Sequence, residues 1–263
     1  MIACGTSSSR IGSRFMLYPR ARAFFEGVAE VMYKLVGYVL WYGPIGVFAL
    51  MAWTVGTYGR SVVKPFAHLI ILVYISTAIM VFFVYGGLLR AFGIRPYHYF
   101  NKIKEAPIFA FSTCSSSATL PVTMRVVKAT GVSDGTCSFV LPLGSTINMD
   151  GTAIYQALAA IFLANAFGIQ LGFGHYVLIG GTALLASIGT AGVPRAGLIM
   201  LSMVLGVIGV PIEGIAIIAG VDRIMDMPRT AVNIVDDATA AVLIAKTEGE
   251  PLPDDLLTAG AGS

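Results

Sequence analysis

Residues 135–194 carry one formally charged side chain, Asp150, within the stretch 141–152, LPLGSTINMDGT. Such a run is long enough for two passes through a hydrocarbon core, at about 20 residues per helix. A carboxylate placed there costs at least about 2.5–3.5 kcal/mol unless a cavity, a cation or a partner compensates it. Thr146, Asn148, Asp150 and Thr152 cluster within two turns, and Gly144 and Gly151 beside them loosen the helix. A helix broken at this point frees carbonyl oxygens, and free carbonyls with a carboxylate suit a hard cation. The plainer alternative is a buried polar knot that ties helices together. Intramembrane ionisable groups favour the functional reading.

Composition fixes the class. The 263 residues are 56% hydrophobic and 12% charged, with a mean hydropathy of +0.81. A soluble domain carries about 25% charged residues, so an all-α polytopic membrane protein is expected. The net charge of +3 is dispersed between apolar runs and forms no basic patch, which argues against nucleic acid as a partner. Cys4, Cys114 and Cys137 fit no disulfide framework or metal spacing. Residues 1–22 hold Arg10, Arg14, Arg20 and Arg22 with no acid, and read as a cytoplasmic, positive-inside flank. Their composition also resembles an organelle presequence, but they lack the apolar core of a secretory signal. Residues 248–263, acidic and containing Pro and Gly, are expected to be a disordered tail.

Two uncharged spans, 35–59 and 65–89, come first, the former kinked at Pro44 and anchored by Tyr38, Trp41, Tyr42 and Trp53. Arg60 and Lys64 then lie outside, while Arg90, Arg95, Lys102, Lys104, Arg125 and Lys128 lie inside. Residues 106–124 must therefore enter and leave on one side. A re-entrant hairpin does this, with the serine-rich 112–119 and Pro121 at its bend; an interfacial amphipathic helix is the alternative. Residues 180–210 repeat the pattern around ASIGTAGVP from the other side. Interrupted segments at matching positions in two inverted halves point to a transporter's binding site. The expected organisation is a basic flank (1–22), two spans (23–93), a transport core (94–247) and the tail (248–263). The core comprises a hairpin (97–130), a broken span (135–168), a second hairpin (174–210) and a polar-faced span (212–246), and both termini are cytoplasmic.

In that last span Asp222, Asp226, Arg229, Asn233 and Asp237 recur at helical spacing on one face, between apolar flanks. Such a stripe must face an interior. Arg223 and Asp236 lie off it, and Pro228 is expected to bend the helix. A guanidinium binds a carboxylate as a planar fork, and Asp226 one turn away suits an ammonium. The pair fits a guest with both groups, such as an acidic amino acid. The hairpin tips add N–H donors for a second carboxylate. Asp150, Asp237 and carbonyls near Gly144 and Asn233 suit alkali cations. The alternative is that Arg229 merely neutralises Asp222 and Asp226.

TCSSSATLPVTMR, LPLGSTINMDGTA, ASIGTAGVP and VDRIMDMPRTAVNIVDD together resemble the dicarboxylate/amino acid:cation symporter family of glutamate and aspartate transporters. The resemblance implies hairpins that act as gates, alternating access and no covalent chemistry. It implies that backbone near Ser115 and Ser116 and the Asn233 side chain bind the substrate's α-carboxylate. Asp226 would take the amino group, and Arg229 with Thr152 the side-chain carboxylate. Asp222 would steady Arg229, and Val193, Gly197 and Thr230 would line the same site. Sodium would sit at Gly144, Asn148, Asn233 and Asp237, at Thr146, Ser187, Ile188 and Thr190, and at Asn148 with Asp150. The coupling ion is Na+ or H+, with no organic cofactor. A homotrimer in the plasma (inner) membrane, in contact with lipid, is implied.

Three departures stand out. An arginine common in the family is absent from both Cys114 and Met227, Asp236 replaces the glycine of N-x-x-G-D, and four helices that precede residue 35 in the family have no counterpart. A truncated core that binds substrate or a partner without transporting is therefore a rival, as is a C4-dicarboxylate symporter. An intramembrane hydrolase using residues 112–117 with His175 or His68 ranks last, because no histidine lies near the serines.

Overall fold

The structure, a computed structural model, describes residues 63–257 and isolated helical positions between Gly27 and Gly56. The expected basic flank and most of the first span lie outside the described residues. Among those described, the regular structure is helical, with a lone antiparallel bridge between Ile94 and Leu257. The stretches Lys64–Ala91 and Asp134–Ala166 are long and apolar enough to cross a membrane.

Helix α1 (Val63–Ile79) is apolar all round, burying Phe66, Leu69 and Val73 and leaving Ile71, Leu72 and Ile75 exposed on the other side. It passes into a π-helical turn, Met80–Tyr85, and α2 (Gly86–Ala91). Such wide turns change the side-chain phase of a helix. Here the turn ends on Tyr85, which is buried although its neighbours Phe82, Phe83 and Val84 are exposed. Pro96, with its φ preset and no N–H to lose, opens α3 (Pro96–Ile103). The first hairpin pairs α4 (Glu105–Thr113) with α5 (Ser116–Lys128). The next span is α6 (Asp134–Ile147) and α7 (Asp150–Ala166). The second hairpin pairs α8 (Phe173–Ile188) with α9 (Ala196–Val207), followed by α10 (Gly214–Ala219) and α11 (Asp222–Thr247). Each hairpin is thus followed by an interrupted helix.

Two apolar cores flank a polar layer. One joins α1, α7, α8, α9 and α10 through Phe66, Tyr155, Leu163, Ile179, Leu201 and Ile218. The other joins α3, α5, α6 and the end of α11 through Tyr99, Val127, Leu141, Ile234 and Val242.

Local details depart from expectation. The first interruption falls at Asn148 and Met149, while Gly144 and Gly151 lie inside helices and serve close approach instead. The last span breaks between Ala219 and Asp222, and α11 runs unbroken through Pro228. Proline cannot donate to the carbonyl four residues earlier. That carbonyl, of Ile224, accepts from the Tyr74 hydroxyl at 3.2 Å, so an α1 side chain fills the vacant bond. Arg223, given no role from sequence, donates to the Ser112 carbonyl at 2.7 Å and steadies the first hairpin near its tip.

The tail is not disordered as far as Leu257. Leu252 and Leu256 are buried in the second core, and Arg95 N donates to the Leu256 carbonyl at 2.8 Å. Glu250 accepts from Ser133 N at 2.8 Å and from the Thr136 hydroxyl at 2.5 Å. Hydrogen bonds from Thr136 and Ser133 hold its carboxyl below the usual glutamate range. Two apolar anchors and a bonded carboxylate outweigh the flexible composition of this short strap.

Candidate functional site

Both hairpins end where helices cannot continue. Cys114 closes α4 at φ 54°, a left-handed conformation unusual for a non-glycine residue, and frees the chain to turn. Ser115 then caps α5, its hydroxyl oxygen accepting from Ala118 N at 3.2 Å. Its hydroxyl proton goes to the Gly192 carbonyl at 2.9 Å, and Ser117 N donates to the same carbonyl at 3.0 Å. The two tips therefore touch. A Cβ at Gly192 would lie 2.7 Å from the Ser117 hydroxyl and 3.0 Å from the Ser145 carbonyl, so glycine permits the closure.

Beneath the tips lies the polar face of α11. Arg229 is 3% exposed and is held by Asp226, whose Oδ1 lies 2.7 Å from Nη2 and 3.1 Å from Nε. The same oxygen accepts from the Thr230 hydroxyl at 2.9 Å, and Oδ2 accepts from Arg195 N at 3.1 Å. The guanidinium carbon sits 4.4 Å above the Tyr155 ring, a cation–π contact in a dry site. Tyr155 in turn donates to Asp222 Oδ1 at 2.8 Å, and that oxygen is 4.0 Å from Arg229 Nη1. Nη1 itself has no hydrogen-bond partner. A Cβ at Gly197 would fall 2.6 Å from it, so only glycine leaves the guanidinium its place.

The cavity between tips and helix is lined by Cys114, Ser116, Thr152, Val193, Asp226 and Arg229, among others. Its volume is about 10 Å³, room for about one water. A guest enters only if the tips part.

At the α6–α7 break, Gly151 N donates to Asn233 Oδ1 at 2.9 Å, and Asn233 Nδ2 donates to the Thr152 hydroxyl at 3.1 Å. Asn148 Nδ2 reaches Asp237 Oδ1 at 3.5 Å, the outer limit of a hydrogen bond. A Cβ at Gly144 would lie 2.4 Å from that carboxylate oxygen. Tyr85 donates to Asp150 Oδ2 at 2.9 Å. The donors here are carboxylate, amide and hydroxyl oxygens, the set preferred by hard cations. Among the described residues no group of three or more His, Cys, Asp or Glu is arranged to hold a metal ion.

Residues 2–247 match the Sodium:dicarboxylate symporter family. The chain belongs to that family. It is 40% identical over 227 residues to the proton/sodium-glutamate symport protein of Geobacillus stearothermophilus, covering 86% of this chain and 54% of that protein. It is 36% identical over 228 residues to the C4-dicarboxylate transport protein of Bacillus subtilis, covering 86% of this chain and 54% of that one. Excitatory amino acid transporter 1 of Homo sapiens is 37% identical over 230 residues, covering 85% and 42%. The chain spans about half the length of the curated relatives it matches. These relatives are named for transport, not for catalysis.

Within this member of the sodium:dicarboxylate symporter family, Ser116, Thr152, Val193, Gly197, Asp226, Arg229, Thr230 and Asn233 line one cavity, with Ser115 and Asp222 bonded at its border. Gly144 and Asn148 both meet Asp237, while Asn233, one turn earlier on α11, bonds Gly151. The second sodium set is not drawn together by hydrogen bonds. The hydroxyls of Thr146, Ser187 and Thr190 each donate back to their own helix, and Ile188 is half exposed. His175 accepts from Gly172 N at 3.0 Å, a capping contact at the start of α8. Sequence reasoning missed Tyr155 and Tyr85. Tyr155 follows Thr152 by three residues and so shares its helical face, a usable signal. Tyr85 follows no such pattern.

Proposed function

We propose that this chain forms the transport core of a cation-coupled symporter of acidic amino acids, working by alternating access. The observation that carries the reading is Arg229, buried with Nη1 unpartnered, against Asp226 and beneath two touching hairpin tips. When the tips part, a guest ammonium takes Asp226, and its distal carboxylate takes the guanidinium freed from that pairing. Thr152 and Asn233 supply further polar contacts. A C4-dicarboxylate would satisfy Arg229 but leave Asp226 buried without a cation, so the amino acid is favoured.

Coupling follows from charge and from one shared residue. The guest brings a net negative charge toward Asp150 and Asp237, so cation binding and guest binding each favour the other. Asn233 bonds both the α7 backbone and Thr152, and it lies one turn from Asp237. A cation held at Asp237 thereby orders the amide that lines the substrate cavity.

Purified chain in liposomes is expected to accumulate labelled aspartate or glutamate under an inward sodium or proton gradient, and to stop when the gradients collapse. Succinate should compete poorly. Uptake that ignores both gradients, or succinate competing as well as aspartate, would contradict the reading.

A further inference from the structure

Arg195 is the only formally charged side chain between residues 151 and 212, and it stands on the tip of the second hairpin, at the start of α9. Two costs meet at this one residue. A guanidinium in an otherwise apolar membrane hairpin is disfavoured, and charges kept in such places mark function by default. Its backbone also lies at φ 66° and ψ 2°, the left-handed region that glycine enters freely and arginine does not. Strain of this kind persists where the surroundings hold it, and it clusters at ligand clamps. Here Asp226 holds it, since Oδ2 accepts from Arg195 N at 3.1 Å. Val193 and Gly197, two residues away on either side, line the cavity. The arginine is half-buried, and among the described residues it has no ion-pair partner.

The charges beneath the tips give it a role. Asp222 and Asp226 are buried with Arg229 as the cation they share, and Asp222 Oδ2 has no hydrogen-bond partner. An acidic amino acid adds one ammonium and two carboxylates. Its ammonium takes Asp226 and its distal carboxylate takes Arg229, which leaves the α-carboxylate with neutral partners only, Thr152 and Asn233. Ammonium and α-carboxylate hang from the same carbon. A guest ammonium on Asp226 therefore sets its α-carboxylate beside the residue whose main chain already bonds that aspartate. We propose that Arg195 is a second recognition arginine, whose guanidinium takes the guest's α-carboxylate as the second hairpin closes. The left-handed turn keeps its N–H on Asp226 while the side chain serves the guest. The tip thus carries a cation onto a site that a bound acidic amino acid has made more negative. The inference rests on the symporter reading for the guest and its orientation.

The test is calorimetric titration of the purified full chain with aspartate, beside thermal melts without it. Arg195→Gly is expected to weaken aspartate binding by about tenfold or more, the loss of a charge-assisted contact. Its melting temperature should hold or rise, because glycine accepts the left-handed turn. Arg195→Gln should weaken aspartate by a like factor, and Arg195→Lys, which keeps the charge, should recover part of the loss. The α-amide of aspartate, which lacks the carboxylate in question, should bind Arg195→Gln no more weakly than the parent. Equal aspartate affinity in the parent, the glycine and the glutamine variants would overturn the proposal, as would a parallel loss for the α-amide. Lower melting temperatures in both variants, with no recovery by lysine, would make the residue structural and overturn it too. Tight aspartate binding that ignores residue 195 sinks this inference alone. A parent chain that binds no aspartate sinks the symporter reading, and this inference with it.

Discussion

Arg229→Ala is expected to abolish measurable binding of aspartate and glutamate and to lower the melting temperature. Two effects add. The guest loses a charge-assisted fork, and one such hydrogen bond contributes roughly 1.5–3 kcal/mol, so losing two weakens binding by about a hundredfold or more. The protein loses the cation that Asp222 and Asp226 share, both of them almost wholly buried. Removing one partner of a buried pair costs about 3–5 kcal/mol because the remaining charge stays unpaired. Arg229→Lys separates the two effects. A lysine keeps the charge but lacks the planar fork and the stacking on Tyr155, so stability should largely return while affinity stays low. Calorimetric titration with aspartate beside thermal melts reads both. Full affinity in Arg229→Lys would show that the fork is not what recognises the guest.

Gly151→Ala should be nearly as damaging, through backbone alone. A Cβ there would stand 2.4 Å from the Arg229 carbonyl oxygen and 3.0 Å from Asn233 Oδ1. Main-chain atoms of α7 and α11 cannot yield as a flexible side-chain tip would, so the helices must move apart. Overpacking of this kind costs about 1–3 kcal/mol, and the separation also breaks the Gly151–Asn233 hydrogen bond. Gly180 and Gly181, in the middle of α8, have no atom within 4 Å of an added Cβ. Alanine at either should be neutral or stabilise by about 0.5–1 kcal/mol, since a glycine in a helix interior is disfavoured by that much. Melting temperatures that fall for Gly151→Ala and hold or rise for the α8 pair are the expected pattern. A tolerated Gly151→Ala would mean that the two helices do not approach as described.

Much of this arrangement is legible from residue order because membrane burial leaves few places for charge. Asp150 in an apolar run, and the spacing of Asp222, Asp226, Arg229, Asn233 and Asp237, mark the polar layer in the residue order itself. The serine-rich and Gly-Thr-Ala-Gly segments mark the two tips, because neither continues a helix well. What periodicity does not carry is which long-range partner completes a bond. Tyr74 filling the carbonyl vacated by Pro228 is a contact between α1 and α11 across 150 residues, and it satisfies the backbone group that the proline leaves without a donor. The burial of Asp236 is likewise not announced by its place beside the stripe. The tail misleads in the other direction, since Leu252 and Leu256 are enough to seat a segment whose composition reads as loose.

An acidic amino acid beneath the hairpin tips and a small cation at Asp237 are proposed to favour each other's binding through Asn233. This coupling is tested most directly by calorimetric titration of the purified chain with aspartate at stepped sodium concentrations, at constant ionic strength and pH. Affinity that climbs with sodium, and falls back when choline replaces it, is the expected result. Aspartate affinity that is the same at every sodium concentration, and unmoved when pH is stepped instead, would contradict it.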